Sequence, residues 1–176
     1  VGGVAELAAW GVAIEDGTMP LAVALMPGVV RLAPQHGDTV PSPADMAAAL
    51  PEAVRDRVRL AHVKLKADGA LTTRTAWLRE PYADAAHAGG PVHEPDALAE
   101  RVRRAAAAGW AAATHAIGDA AVAAVLDAYA AAPAPPRRAH RVEHVMLLDE
   151  GLLARLAAAG AAAVVQPEFL AWAGPT

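Results

Sequence analysis

One stretch of the chain alternates polar and apolar positions with a period of two. In residues 59–68 (RLAHVKLKAD), Ala61, Val63, Leu65 and Ala67 share one face, and His62, Lys64, Lys66 and Asp68 share the other. That is the pattern of a strand with one apolar and one polar side. Residues 20–30 (PLAVALMPGVV) form a continuous apolar run between prolines and read as a buried strand. Residues 111–117 (AAATHAI), 140–147 (HRVEHVML) and 161–166 (AAAVVQ) read as further strands. Helical spacing of three to four marks 94–108, 120–132 and 149–159, ended by Gly109, the Pro133–Pro136 breaker and Gly160. A further helix is expected over 44–57 behind Pro43, and the tail of one over 4–10, closed by Gly11. Asp119 is expected to cap the helix that follows it. Residues 69–93 are left as a long loop rich in Gly, Thr and charges, a length that usually signals function.

From residue 94 onward the order is helix, strand, helix, strand, helix, strand, with a repeat of about 30 residues, the size of one βα unit. Such alternation predicts parallel strands joined by right-handed crossovers. The fold class is therefore α/β, built of parallel βα units of the TIM-barrel type. With 176 residues the chain is short for a complete eight-stranded barrel, which needs about 250. The expectation is an incomplete barrel, residues 1–176 forming part of one barrel domain. The opening Val1-Gly2-Gly3 has neither a Met nor the layout of a signal peptide, so the sequence is expected to start inside a longer product. An incomplete barrel would leave strand edges and apolar surface bare, which predicts such a parent or a homo-oligomer.

Composition removes several classes of chemistry. There is no Cys, which excludes disulfides, thiolate zinc sites and a Cys nucleophile. The one Ser, Ser42, lies between two prolines and does not resemble a nucleophile on a tight turn. The net charge of −4 and scarce aromatics argue against nucleic acid as a partner. No apolar run approaches the roughly 18 residues of a membrane span. Neither a dinucleotide fingerprint nor a phosphate-binding P-loop is present. A small-molecule substrate and a cytoplasmic setting are the remaining expectation. Among 15 basic residues only two are Lys, and both, Lys64 and Lys66, lie in the same strand.

Ligands of parallel α/β folds bind at the carboxyl ends of the strands. Lys64 and Asp68, His115 and His144 lie at or near three successive strand ends, and one polar group per strand would converge on one rim. Glu143 is expected to face away from His144, because neighbours in a strand point to opposite faces. His140 shares the His144 face but sits at the wrong end, and His62 is expected to be a core histidine. His36, His87 and His93 read as surface loop residues, and Asp119 as a cap only. Neutral imidazole is a common zinc ligand. A desolvated Lys can lose its proton and take up carbon dioxide as a carbamate, an anionic oxygen ligand able to bridge two metals.

The strings VKLKADGALTTRTA (63–76), THAIGDAAVAAVLDAY (114–129), HRVEHVMLL (140–148) and VVQPEFL (164–170) resemble, as an ordered set, the amidohydrolase-3 branch of the metal-dependent hydrolases, the YtcJ-like group. The intervening Leu78-Arg79-Glu80-Pro81-Tyr82 fits the same pattern. The resemblance implies a distorted TIM barrel, usually with a small β-domain built from both chain ends, and hydrolysis of amide or related C–N bonds. It implies one or two divalent metals, zinc above all, held here by Lys64, His115 and His144, with a possible carbamate on Lys64. It also places Asp68, Arg74 and Tyr82 beside the substrate. The family's His-x-His pair and its final Asp, the expected proton shuttle, have no counterpart in this sequence, so no general base is named. A non-catalytic barrel remnant that only binds a ligand or partner is the competing expectation.

Overall fold

The computed structural model describes residues 11–18, 22–28, 40–60, 62–135 and 138–169. Six strands are assigned: β1 (Val23–Leu25), β2 (Val58–Leu60), β3 (His62–Lys66), β4 (Ala111–Ala116), β5 (Arg141–His144) and β6 (Ala162–Val164). Four helices are named here: α1 (Pro43–Ala48), α2 (Pro95–Ala107), α3 (Asp119–Ala131) and α4 (Glu150–Ala158), with a 3₁₀ turn at Glu52–Val54. β1 pairs with β2, and β3, β4, β5 and β6 form a four-stranded sheet in that order. Every pairing is parallel. A parallel bridge from Gly28 to Lys64 ties the continuation of β1 to the larger sheet. The expected βα architecture is thus present, and no closed barrel forms among the described residues. None of these helices is long and apolar enough to cross a membrane.

Helices cover one face of the sheet. Val63 and Leu65 from β3 pack with Leu98 and Val102 of α2 and with Val122, Val125 and Leu126 of α3, all buried. Burying a Val or Leu side chain stabilises by roughly 1.5–3 kcal/mol, so this layer holds the strands in place. Trp110, fully buried at the start of β4, donates its Nε1–H to the Pro41 carbonyl at 2.8 Å. The Tyr129 hydroxyl of α3 donates to the Arg141 carbonyl at 2.8 Å, tying helix to sheet. The opposite face carries the polar side of β3 and becomes the site described below.

Several sequence expectations are corrected in detail. The 44–57 helix is interrupted: α1 ends at Ala48, and Pro51, which lacks an N–H to continue the ladder, precedes the 3₁₀ turn. Ser42 caps α1 in a reciprocal box with Asp45. Gly11 does not close a helix, since residues 11–15 are helical; the expected helix over 4–10 lies outside the described residues. The cap of α3 is Gly118, not Asp119. Asp119 sits in the first turn, where its charge complements the helix dipole, and accepts the Arg79 N–H at 3.1 Å. Asp149, by contrast, caps α4 by accepting from Leu152 N–H at 2.6 Å. The strand expected over 140–147 stops at His144, because His144 and Val145 have φ of 79° and 44°.

The 69–93 segment has neither helix nor strand, yet it is closely bonded. Gly69 and Thr75 are joined through Gly69 N–H to Thr75 O at 3.0 Å, and Leu78 N–H meets Ala88 O at 2.8 Å. Its far end returns to β3, where Val92 N–H donates to Ala67 O at 2.7 Å. Gly118 is required where this loop crosses: a Cβ there would lie 1.9 Å from the Trp77 carbonyl oxygen. Gly89 serves a similar crossing at φ 67°, with the Ala76 carbonyl oxygen 2.0 Å from where its Cβ would lie.

Candidate metal centre at the carboxyl ends of the strands

Parallel register places side chains in rows across the polar face. Lys64 stands opposite Ala113, which stands opposite Arg141; two residues further on, Lys66, His115 and Glu143 form the next row. Residues in register on neighbouring strands point to the same side. Glu143 therefore belongs to the face of Lys64 and His115. His144 by regular alternation would point away, but its left-handed backbone turns the chain at the strand end. The His144 ring lies edge to face with that of His115, centroids 4.7 Å apart. Positive φ at a non-Gly residue is uncommon, and at a β-branched one such as Val145 it is a genuine outlier. Strain of this kind gathers at functional sites.

Among the described residues, hydrogen bonds leave one nitrogen free on each ring. His115 Nε2 is 2.7 Å from the Gly69 carbonyl, which can only accept, so Nε2 carries the proton and Nδ1 is open. His144 Nδ1 is 2.9 Å from Gln166 Oε1; with that oxygen accepting, Nε2 is the open nitrogen. Lys64 is half-buried. Burial pushes its pKa down, opposed by the Glu143 charge and assisted by Arg141. Glu143 is buried, which works against its charge. The Arg141 guanidinium bonded to it, with the charges of Lys64, Arg141 and His144, outweighs that and holds its pKa below the usual value.

Asp68 is fully buried at the exit of β3. Its carboxylate accepts the N–H groups of Trp77 (3.0 Å), Ile117 (3.1 Å) and Gly118 (2.8 Å), and Oδ1 lies 3.4 Å from His115 Nε2. One side chain thus joins the long loop, the end of β4 and the start of α3, and braces His115. Arg74 is paired with Asp84 in a two-pronged contact. The Tyr82 hydroxyl donates to the Ala76 carbonyl at 2.9 Å. Arg79 reaches Asp149 at 2.6 Å, fastening the loop to the start of α4.

His115 and His144 are therefore brought together at one rim, with Lys64 one row further down the same face, whereas Asp68 lies beneath the loop and Arg74 and Tyr82 lie within it. His62 and His140 are buried and His87 is exposed; His93 is partly covered, and His36 lies outside the described residues. Sequence reasoning did not single out Glu143, Arg141 or Gln166 for the site. For Glu143 the signal was available, since counting register from strand to strand puts it beside His115. Among the described residues no three His, Asp or Glu side chains form a metal-holding group. The donor set fits a divalent cation in part: two imidazoles with open nitrogens, and an amine whose charged form burial disfavours.

Fold and site together define a parallel βα scaffold that carries two facing imidazoles at the carboxyl ends of its strands. Residues 1–175 match the profile of the amidohydrolase family, and the chain belongs to that family. It is 40% identical over 115 residues to the putative amidohydrolase YtcJ of Bacillus subtilis (strain 168), an alignment covering 65% of this chain and 22% of that protein. The fold is similar to that of an uncharacterized metal-dependent hydrolase from Pyrococcus furiosus, with TM-score 0.73 and 28% identity over 97% of this chain and 34% of the other. A second metal-dependent hydrolase, from Pyrococcus horikoshii OT3, matches with TM-score 0.58 and 35% identity over 65% of this chain and 23% of that one. The chain spans between 22% and 34% of the length of these relatives.

Proposed function

We propose that the protein is a metal-dependent amidohydrolase that cleaves an amide or related C–N bond of a small molecule. The observation that carries this reading is the pairing of His115 and His144, rings 4.7 Å apart with one open nitrogen each, on the sheet face that also bears Lys64. His115 Nδ1, His144 Nε2 and Lys64 would hold a divalent metal, with zinc the best match to imidazole donors. Such a metal, when bound, supplies Lewis acidity and lowers the pKa of water. In its carbamate form Lys64 would offer an oxygen donor: the amine nitrogen bonds the carbon of carbon dioxide and releases a proton to water. Gly69 and Gln166 orient the two rings, Asp68 fixes the loop above them, and Arg141 holds Glu143 beside Lys64. The chain's own residues thus bind and orient, and none of them is assigned as the general base.

Native mass spectrometry of zinc-reconstituted protein tests this directly. His115→Ala and His144→Ala should each lower bound zinc at least tenfold and hydrolysis of a responsive amide at least 100-fold, while far-ultraviolet circular dichroism stays the same. Full metal retention in both variants would remove the site. Wild-type protein that binds no metal would favour the competing reading, a barrel remnant that only binds a ligand.

A further inference from the structure

Lys66 is the second of the chain's two lysines and has no part in the donor set above. It stands in register with His115, two residues beyond Lys64 along the same sheet face, at the mouth of the site. It lines a cavity of about 490 Å³, with Gly69, Arg74, Thr75 and His87 among its other walls. That volume suits a small molecule. Gly69 is common to cavity and metal centre, since its carbonyl holds His115. Among the described residues no carboxylate lines the cavity. Arg74 is neutralised by Asp84, and the nearby Asp68 is saturated by three backbone N–H groups. Lys66 is exposed and makes no ion pair among the described residues. Pro91 and Val92 add apolar wall. A cavity with one uncompensated ammonium and an apolar side complements a short aliphatic chain ending in an anion.

We infer that Lys66 is a specificity-determining residue that selects substrates carrying a carboxylate, held away from the bond to be cleaved. This rests on the hydrolase reading above and adds the substrate class. The carboxylate accepts hydrogen bonds from the Lys66 ammonium, and the scissile amide then faces the His115 side of the cavity.

The test compares N-acetyl-β-alanine with its uncharged counterpart N-propylacetamide, which share the same scissile amide. Turnover by zinc-loaded protein and binding by calorimetry are both measured, for wild type, Lys66→Met and Lys66→Arg. The wild type should favour the carboxylate at least tenfold in kcat/KM and in affinity. Lys66→Met should bring both ratios near one, and Lys66→Arg should restore most of the preference. Turnover with no charge preference, or a preference unchanged in Lys66→Met, overturns the Lys66 role and leaves the hydrolase reading standing. Selective binding that Lys66→Met abolishes, without turnover of either compound, supports the role and counts against the hydrolase reading. Absence of selective binding overturns the role.

Discussion

His62 and His140 lie at the amino ends of β3 and β5; His115 and His144 lie at the carboxyl ends of β4 and β5. The amino-end pair is buried. His62 Nε2 meets the Ala139 carbonyl at 3.1 Å, and His140 Nδ1 accepts the Ala112 N–H at 2.9 Å while its ring stacks on Tyr129 at 4.4 Å. The remaining atoms, His62 Nδ1 and His140 Nε2, have no hydrogen-bond partner among the described residues. Among the described residues the carboxyl-end pair is bonded through one nitrogen per ring. The same residue type in the same sheet is structural at one end and, on the proposed function, chemical at the other. What separates the two ends is how the chain leaves or enters the strand. At the carboxyl end it departs into a long loop and a left-handed turn, which open a rim; at the amino end the His62 and His140 rings are packed shut against backbone and Tyr129.

The largest expected effect comes from removing the brace of the open pair. Asp68→Ala leaves three buried N–H groups without an acceptor, at roughly 1–3 kcal/mol each, so unfolding in urea should show a loss of about 3–5 kcal/mol. Asp68→Asn keeps one oxygen acceptor and should lose about half as much. In the folded Asn variant, the nitrogen chemical shifts of His115 should move while those of His62 and His140 stay fixed. Shifts at all four rings would mean that the two ends are not independent.

Much of this arrangement was legible beforehand. β3 announced itself by alternation and β4 by its apolar run, each closed by a Gly and an Asp, and the one-per-strand spacing of Lys64, His115 and His144 follows from βα periodicity. The rest depends on features with no local signature. Glu143 was set aside because alternation separates it from His144, and no Gly or Asn marks the left-handed turn at His144 and Val145. Asp68 read as a polar-face residue, yet its partners Trp77, Ile117 and Gly118 are brought to it only by folding. Asp119 looked like a better cap than Gly118, but the close crossing of the Trp77 carbonyl admits only Gly at that cap position.

Acid should expose the closed pair next. Burial, with the nearby His62 charge, pushes the His140 pKa from its ordinary value down to about 4, and burial lowers His62 as well. Above pH 6.5 both folded and unfolded chains carry these rings neutral, so they add no pH dependence. As pH falls below 6.5 the unfolded chain takes up the proton first and stability drops, until the folded ring also titrates near pH 4. The loss from His140 is on the order of 3 kcal/mol. Urea melts across pH 7 to 4 should therefore be flatter for His140→Gln than for the wild type. Equal slopes would show that His140 is open to solvent rather than sealed.

The smallest effects concern how each end makes its turns. Gly109 and Gly160 enter β4 and β6 with φ of 88° and 59°, while at the opposite end Arg74, His144 and Val145 hold positive φ with side chains attached. Left-handed backbone costs a residue with a Cβ roughly 1–2 kcal/mol, and Gly almost nothing. Gly160→Ala meets no atom within 4 Å, so its cost is conformational alone, about 1 kcal/mol in thermal or urea unfolding. Arg74→Gly reverses the exchange. It removes a similar cost and gives up an exposed ion pair with Asp84 that solvent screens. It also frees the unfolded chain, which takes back part of the gain, so the urea midpoint should stay nearly unchanged. A clear drop in the urea midpoint on Arg74→Gly would mean that the Arg74–Asp84 contact holds the loop. The strain at the carboxyl end would then be supported by that ion pair as well as by the Asp68 hydrogen bonds beneath it.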